Sequence, residues 1–242
     1  ELGGQFNYAR KIPGKEEFNE TLRYFRVMLE KHAVDVRLNT EATVGALADF
    51  DEIVIATGVV PRELALPGAD HPSVLSYADA IEQPERVGKR VAVIGAGGIG
   101  FDVSELLSHE GHPTMEVAAW CDEWGVDLAV GERGGLKAPQ PPRKTTGWVH
   151  RASLKQRGVE TLAGCEYVRI DDAGLHIRRE GQEQVVEVDT IVVCAGQESV
   201  RDLISPLAQA GSRMHVIGGA DEAAELDAKR AIDQGTRLAA SL

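Results

Sequence analysis

Cysteine is scarce in this chain, and its spacing excludes several kinds of site. Three cysteines occur in 242 residues, Cys121, Cys165 and Cys194. They lie too far apart for a C-x-x-C redox pair, a zinc knuckle or an iron–sulfur cluster. The histidines are scattered too: His109 and His112 are three residues apart, but no third ligand follows them. We therefore expect buried, unreactive thiols and no metal site.

Long apolar runs and basic clusters are also missing. No apolar stretch reaches the ~18 residues of a membrane span, and no signal-peptide pattern opens the chain. Asp and Glu outnumber Lys and Arg by 38 to 26, which gives a formal net charge of -12. This charge excludes nucleic acid as an expected partner. The composition predicts a cytoplasmic enzyme, and a first residue other than methionine suggests a fragment or a processed chain.

The most informative motif is a glycine-rich turn after an apolar strand pattern. Residues 90–100 read RVAVIGAGGIG, so a G-x-G-x-x-G motif follows the apolar run VAVI. Glycines at this spacing allow a tight turn and the close approach of a pyrophosphate, which then faces the N–H groups of a helix expected to start near Phe101. The alternative is a strand–turn–helix corner without a ligand. The expected cofactor contacts are Gly95, Gly97, Gly98, Ile99 and Gly100.

One arrangement of elements occurs twice along the chain. A helical apolar stripe over residues 18–29 is followed by a strand pattern at 34–38, and a helix over 148–157, closed by Gly158, is followed by another at 159–162. Two apolar runs, 53–58 and 191–196, end in small residues and glycine. Three short segments, 166–170, 175–179 and 184–188, are separated by turn residues and predict an antiparallel meander.

This order of parts resembles the flavoproteins in which an NAD(P)H domain is inserted into an FAD domain. Five motifs make the resemblance more specific: GGQFN at 3–7, IPGKEEF at 12–18, CDEWG at 121–125, KTTGW at 144–148 and DAKRAI at 227–232. Together they look like the C-terminal part of bacterial NADPH-dependent 2,4-dienoyl-CoA reductase, of the old-yellow-enzyme-like NADH:flavin oxidoreductase and trimethylamine dehydrogenase group.

The resemblance implies an α/β fold with two dinucleotide-binding, Rossmann-like domains. Residues 88–187 would form the NAD(P)H domain with the meander, inserted into an FAD domain of residues 1–87 and 188–242. In that family NADPH passes a hydride to FAD, and electrons proceed through a 4Fe-4S cluster to FMN on an N-terminal barrel, in fatty acid β-oxidation. This chain would be the electron-entry module, with the barrel as its partner and no general acid or base of its own.

The resemblance also implies FAD contacts. Each has a structural alternative: Lys15 as a solvated charge, Gln5 as a loop residue, and Asp221 as the N-cap of a helix over 222–234. For the others, the family pattern places the backbone of Ala42 at the adenine and Thr57–Gly58 close to the diphosphate. The implied FAD contacts are Gln5, Lys15, Ala42, Thr57, Gly58, Gly219 and Asp221.

Two departures from the family pattern affect the cofactors. The chain starts after the point where the FAD fold supplies its first strand, its own glycine turn and the acidic residue that binds the adenosine ribose, so we expect an incomplete FAD site. A strand that carries a basic pair for the 2′-phosphate of NADP is also absent before Lys144. Asp122, about 20 residues beyond the glycine turn, has the spacing of an NAD-type ribose acceptor, and Arg143 with Lys144 is the alternative phosphate ligand pair.

Three functions therefore stay open at this point. The first is the electron-entry module, with NADP or NAD and FAD as cofactors. The second is a fragment or degenerate dinucleotide-binding fold that has no catalysis of its own, which the incomplete FAD site favours. The third, a disulfide reductase on the same fold, is disfavoured because the chain has no redox cysteine pair.

Overall fold

The computed structural model describes residues 1–109, 147–224 and 228–242. Two compact units are present: Glu1–Val103 together with Ala163–Leu242, and Ser104–Leu162. Within the described ranges, no helix is both long and apolar enough to cross a bilayer. The expected strand over 115–122, which includes Asp122, lies outside the described residues. Arg143 and Lys144 lie outside them too.

Short strands dominate the larger unit. In chain order the strands are β1 (Ile53–Ile55), β2 (Val59–Pro61), β3 (Val74–Ser76), β4 (Val91–Ile94), β5 (Glu166–Asp171), β6 (Gly174–Arg179), β7 (Gln182–Val186), β8 (Thr190–Val193), β9 (Gln197–Ser199) and β10 (Met214–Val216). The described helices are α1 (Phe6–Ala9), α2 (Phe18–Lys31), α3 (Val44–Leu47), α4 (Tyr77–Glu82), a 3₁₀ turn (Pro84–Arg86), α5 (Gly98–Ser108), α6 (Gly147–Gln156), α7 (Ile204–Gln209) and α8 (Ala228–Ala239).

A three-stranded parallel sheet lies at the centre of the larger unit, in the order β3-β8-β4. All four residues of β8 are buried, and Ile191 and Val192 have no exposed surface. A strand covered on both faces is apolar along most of its length, which explains the run IVV at 191–193; the polar Thr190 is satisfied because its hydroxyl accepts from the Gly88 N–H at 2.8 Å. The buried strand expected from residues 191–196 is therefore confirmed.

A second parallel pair, β1 and β10, packs on a small core of its own. Ile53 and Ile55 meet Leu207 and Ala220 there. In chain order, β2 follows β1 and β9 follows β8. The strands β2 and β9 pair with each other antiparallel. We refer to β2 and β9 as the ribbon. An α/β fold with parallel sheets is confirmed.

The expected domain bounds stay a prediction. The strands β4 and β8 are neighbours in the central sheet, although the expected boundary between residues 187 and 188 places them in different domains.

The expected meander is present: β5, β6 and β7 form an antiparallel sheet in that order. Its centre holds His176, which is 5% exposed and lies 2.8 Å from Asp171 through its Nε2 atom.

The two helices of the repeated arrangement are confirmed, as α2 and α6. The C-terminal end of α6 has the predicted glycine cap: Gly158 has a φ of +74°, and the Val159 N–H donates to the Leu154 carbonyl at 2.9 Å. The helix after the glycine turn begins at Gly98, inside the motif, three residues earlier than expected.

The strands expected after these two helices are wrong. Residues 34–38 and 159–162 are irregular. Alternation of apolar residues predicts a strand, but a strand forms only with a hydrogen-bonded neighbour, and the described part of the chain supplies none. Val34, Val36 and Leu38 are consequently 50%, 40% and 50% exposed.

Candidate functional site

The carboxyl ends of the three central strands define the candidate site. Each strand end is followed by a residue with a special role: Tyr77 after β3, Gly95 after β4 and Cys194 after β8. Because the strands are parallel, these residues lie along one edge of the sheet. In open α/β sheets, ligands bind outside this edge.

Two glycines of the turn are required by close packing. A Cβ atom on Gly95, whose φ is +116°, would lie 2.4 Å from the Cys194 carbonyl oxygen. A Cβ atom on Gly100 would lie 1.9 Å from the Gly95 carbonyl oxygen. Only hydrogen fits at these distances, so both glycines hold α5 tightly against the strand ends.

The other two glycines of the turn face open space. A Cβ atom on Gly97 or Gly98 would meet no atom within 4 Å, and neither residue has a positive φ. The helix α5 begins at Gly98, so its electrostatically positive N-terminal end lies at this turn. The turn thus combines a crowded inner side with an open outer side, which fits the approach of a pyrophosphate.

Lys15 reaches the helix of the glycine turn. Its Nζ atom donates to both carboxylate oxygens of Asp102 at 2.7 Å, and the two side chains are 35% and 27% exposed. Lys15 follows Gly14, whose φ is +80°, and its N–H closes a turn by donating to the Ile12 carbonyl at 3.0 Å. Lys15 is thus a paired, half-buried charge, and its contact with FAD stays a prediction.

Gln5 reaches the same sheet edge from the N-terminal loop. Its Oε1 atom accepts from the Tyr77 hydroxyl at 3.2 Å and from the Gln197 Nε2 atom at 3.3 Å. Its own Nε2 atom donates to the Val59 carbonyl at 3.4 Å. The structure thus brings two implied FAD contacts, Gln5 and Lys15, to the edge that carries the glycine turn.

The thiol at this edge is inert. Burial raises the pKa of Cys194 to about 12, and the negative charge of Asp102 adds to that rise. At neutral pH the sulfur stays protonated, and a protonated thiol is a poor nucleophile. This agrees with the expectation of an unreactive buried cysteine, while Cys165 is half-buried and Cys121 lies outside the described residues.

The loop that contains Gly219 and Asp221 is held from the end of the ribbon. Ser199 donates to the Gly219 carbonyl at 2.6 Å, and Arg201 donates to the Ala220 carbonyl at 2.7 Å. The Asp221 carboxylate accepts from Gln234 at 2.9 Å. Because Glu222 is irregular and α8 begins at Ala228, the N-cap role proposed for Asp221 is wrong.

Thr57 and Gly58 also lie at the ribbon. The Thr57 hydroxyl donates to the Val200 carbonyl at 2.6 Å, and the Val200 N–H donates to the Gly58 carbonyl at 3.0 Å. Ala42, in contrast, is exposed in the loop before α3, and no described hydrogen bond joins it to the other implied contacts. The structure therefore groups these contacts around the sheet edge and the ribbon, with Ala42 apart.

Sequence reasoning missed three residues of this region, and each had a signal. Asp102 follows the last glycine of the motif by two positions, one turn into the helix that faces the ligand. Tyr77 follows the apolar strand pattern of β3, and Gln197 follows Gly196 at the end of a small-residue run. Polar residues at the carboxyl ends of buried strands are natural site candidates.

The described part of the smaller unit contains one close contact between a histidine and a carboxylate. The His150 Nδ1 atom lies 2.6 Å from the Glu105 carboxylate, in agreement with a structural role for this histidine. Among residues 1–109, 147–224 and 228–242, no group of three or more His, Cys, Asp or Glu side chains is arranged to hold a metal ion. His112 lies outside those ranges.

The family model described as pyridine nucleotide-disulphide oxidoreductase matches residues 6–223. The chain belongs to this family. Its members bind FAD and NAD(P)H, so an oxidoreductase fold with Rossmann-type cofactor binding is confirmed. Family membership does not distinguish NADP from NAD.

The relatives of this chain are longer proteins with diverse names. The chain is 25% identical to cinnamate reductase of Clostridium sporogenes over 91% of its length, and 26% identical to bilirubin reductase of Mediterraneibacter gnavus over 97%. It spans 31% and 34% of those proteins. Whole-protein activities therefore do not transfer directly to this chain.

Two solved structures share the fold. A 2-naphthoyl-CoA reductase complex matches 98% of this chain with a TM-score of 0.77 at 22% identity, and the match covers 34% of that protein. Histamine dehydrogenase from Rhizobium sp. 4-9 matches 100% of the chain with a TM-score of 0.73 at 18% identity, over 39% of its own length. At these identities the likeness concerns the fold.

Proposed function

We propose that this chain is the electron-entry module of a 2,4-dienoyl-CoA reductase-like flavoenzyme. In this role it holds NAD(P)H against FAD for hydride transfer, and its partner is an FMN-bearing barrel. The observation that carries the proposal is the Lys15–Asp102 ion pair, with both contacts at 2.7 Å. It joins the loop with the implied FAD contacts to the helix of the glycine turn.

The protein's contribution in this function is binding and orientation. When bound, nicotinamide and flavin supply the hydride chemistry, so no side chain needs to act as acid or base. The open side of Gly97 and the N-terminal end of α5 would hold the pyrophosphate of the nicotinamide dinucleotide. The Lys15 ammonium neutralises Asp102, which would otherwise place an unpaired carboxylate beside two anionic cofactors. Cys194 stays protonated and takes no electrons.

Removing the Lys15 charge tests this function. With FAD in excess and oxygen excluded, NADPH should bleach the flavin absorbance of the wild-type chain. Lys15→Met should slow the bleaching about tenfold, because an Asp102 carboxylate that has lost its partner repels the phosphates. Lys11→Met is the matched control: Lys11 lies in the same segment, and its ammonium donates instead to the Ile81 carbonyl at 3.4 Å. Equal rates in the two variants would remove the role assigned to the ion pair, and no bleaching in the wild type would contradict the function.

FAD itself should bind weakly to these 242 residues alone. The sequence contains one G-x-G-x-x-G turn, and we assign that turn to the nicotinamide dinucleotide. FAD is left with the contacts of Gln5, Lys15 and the ribbon. The chain should therefore purify colourless or nearly so, as measured by flavin absorbance after gel filtration. Near-stoichiometric flavin would show that the diphosphate has another cradle in this chain.

NADPH and NADH should bind with similar affinity. The family resemblance implies NADP, but the strand with the basic pair is absent, and a lost bidentate charge contact removes most of such a preference. We expect affinities within about tenfold of each other, a difference of ~1.4 kcal/mol. Parallel calorimetric titrations at low salt measure this. A preference for NADPH beyond about a hundredfold, abolished by Arg143→Gln with Lys144→Gln, would assign the 2′-phosphate to that pair.

The second candidate function is a degenerate fold that binds a nucleotide without catalysis. The exposure of Val34, Val36 and Leu38 favours it, because no strand among the described residues pairs with this segment and its apolar side chains stay uncovered. The two candidates differ in one measurement. A degenerate fold binds NAD(P)H at the glycine turn but does not bleach added FAD, whereas the electron-entry module does both.

A further inference from the structure

Three polar side chains from distant parts of the chain meet where the ribbon begins. Gln197, the first residue of β9, donates from Nε2 to the Tyr77 hydroxyl oxygen at 2.8 Å and to the Gln5 Oε1 atom at 3.3 Å. The Tyr77 hydroxyl in turn donates to Gln5 Oε1 at 3.2 Å. Gln5 closes the set by donating to the carbonyl of Val59, the first residue of β2.

These contacts determine the orientation of the Gln5 carboxamide. Two donors converge on its oxygen, so the oxygen points toward Tyr77 and Gln197, and the amide nitrogen lies on the other side, where it meets the Val59 carbonyl. The Tyr77 side chain gives the cluster a rigid base. It is 2% exposed and packs edge-on against Tyr8, with ring centroids 6.1 Å apart. A buried aromatic ring held in this way has little freedom to follow a moving partner.

We infer that Tyr77 and Gln197 are positioning residues for FAD. They act through Gln5, whose amide nitrogen they hold on the side away from the cluster. One of its two N–H groups meets the Val59 carbonyl, and the second is the donor offered to FAD. The inference rests on the proposed function, in which Gln5 contacts the flavin cofactor. Both strands of the ribbon take part, through Val59 and Gln197, so the orientation of Gln5 is tied to the segments that leave the two parallel sheets. Preorganising a donor before the ligand arrives lowers the entropic cost of binding.

The first test removes one hydroxyl and compares it with a matched neighbour. FAD affinity is titrated by the anisotropy of flavin fluorescence, and the thermal midpoint is measured without FAD. Tyr77→Phe keeps the ring but loses a donor to Gln5, and we expect FAD affinity to fall about fivefold. Tyr8→Phe removes a phenolic hydroxyl that lies outside the cluster, and we expect its affinity within about twofold of the wild type. The thermal midpoints of the two variants should agree.

The second test reverses the polarity of the donor. Gln197→Glu replaces an amide that donates to two oxygens by a carboxylate that can only accept, so the Gln5 amide must turn round to pair with it. We expect a loss of FAD affinity at least as large as that of Tyr77→Phe. Gln197→His keeps a ring N–H donor at this position, so its FAD affinity should lie between those of Gln197→Glu and the wild type.

The outcomes separate this inference from the function on which it rests. A wild-type chain that neither binds nor bleaches FAD overturns both. A wild-type chain that bleaches FAD, together with Tyr77→Phe and Gln197→Glu variants of unchanged FAD affinity, overturns the positioning role alone. Parallel losses of affinity and thermal midpoint in Tyr77→Phe and Tyr8→Phe would also overturn it, since they would show general destabilisation of the tyrosine pair.

Discussion

Replacing Gly97 by valine is expected to abolish NAD(P)H binding while the chain stays folded. A Cβ atom at Gly97 meets no atom within 4 Å, and the backbone there does not have a positive φ, so a side chain can start at this position without a clash at its Cβ atom. That same open space is where the pyrophosphate must approach the backbone. We expect the affinity for NADPH to fall by more than about a hundredfold, because both the contact and the N–H groups behind it become inaccessible.

The control for this variant is Gly45→Val. Gly45 also faces open space without a positive φ, but it lies in α3, away from the glycine turn. Both variants should show the circular dichroism spectrum of the wild type, and only Gly97→Val should lose binding in titration calorimetry. Equal NADPH affinity in Gly97→Val and the wild type would mean that this turn is not the cofactor site.

Replacing Gly100 by alanine, unlike the change at Gly97, is expected to lower the stability of the folded chain. The new Cβ atom would lie 1.9 Å from the Gly95 carbonyl oxygen and 2.9 Å from its carbonyl carbon. Both are backbone atoms, so α5 must move away from the strand ends to make room. Overpacking of this kind costs about 3 kcal/mol, which lowers the Tm of a protein of this size by roughly 6–12 °C.

Gly98→Ala is the matched control within the same helix. A Cβ atom on Gly98 meets nothing within 4 Å, and alanine favours the helix over glycine. The Tm of this variant should equal or slightly exceed that of the wild type in a scanning calorimeter. If Gly100→Ala and Gly98→Ala melted within about 2 °C of each other, the close packing of the turn would not hold in solution.

Local patterns predicted many elements of this fold because the relevant physics is local. The apolar run before Gly95 formed β4, the stripe after Gly14 formed α2, and the turn residues between 166 and 188 produced the meander. Each of these depends on side-chain periodicity or on a glycine at one position. The run at 34–38 has an equally clear alternation, yet it forms no strand, because strand pairing depends on a neighbour that no local pattern reveals.

The candidate site was predictable in part for the same reason. The glycine turn carries its geometry in three closely spaced residues, so the motif itself indicated the site. The hydrogen-bond partners of Gln5 and Lys15 are 54 to 192 residues away in sequence, and only the folding of the chain around β3, β8 and β4 brings them together. The N-cap role considered for Asp221 is wrong because α8 begins only at Ala228.

By itself, the sequence determined the class of protein: an α/β chain with one dinucleotide turn, without a redox cysteine pair, and with the motifs of a flavin reductase module. Tertiary structure alone decided that Lys15 pairs with Asp102, that Tyr77 and Gln197 orient Gln5, and that burial keeps Cys194 protonated. The physical reason is the sequence separation of the residues that interact. Turn geometry and helix periodicity act between residues a few positions apart, whereas ion pairing, burial and strand pairing join residues that only the folded chain brings together.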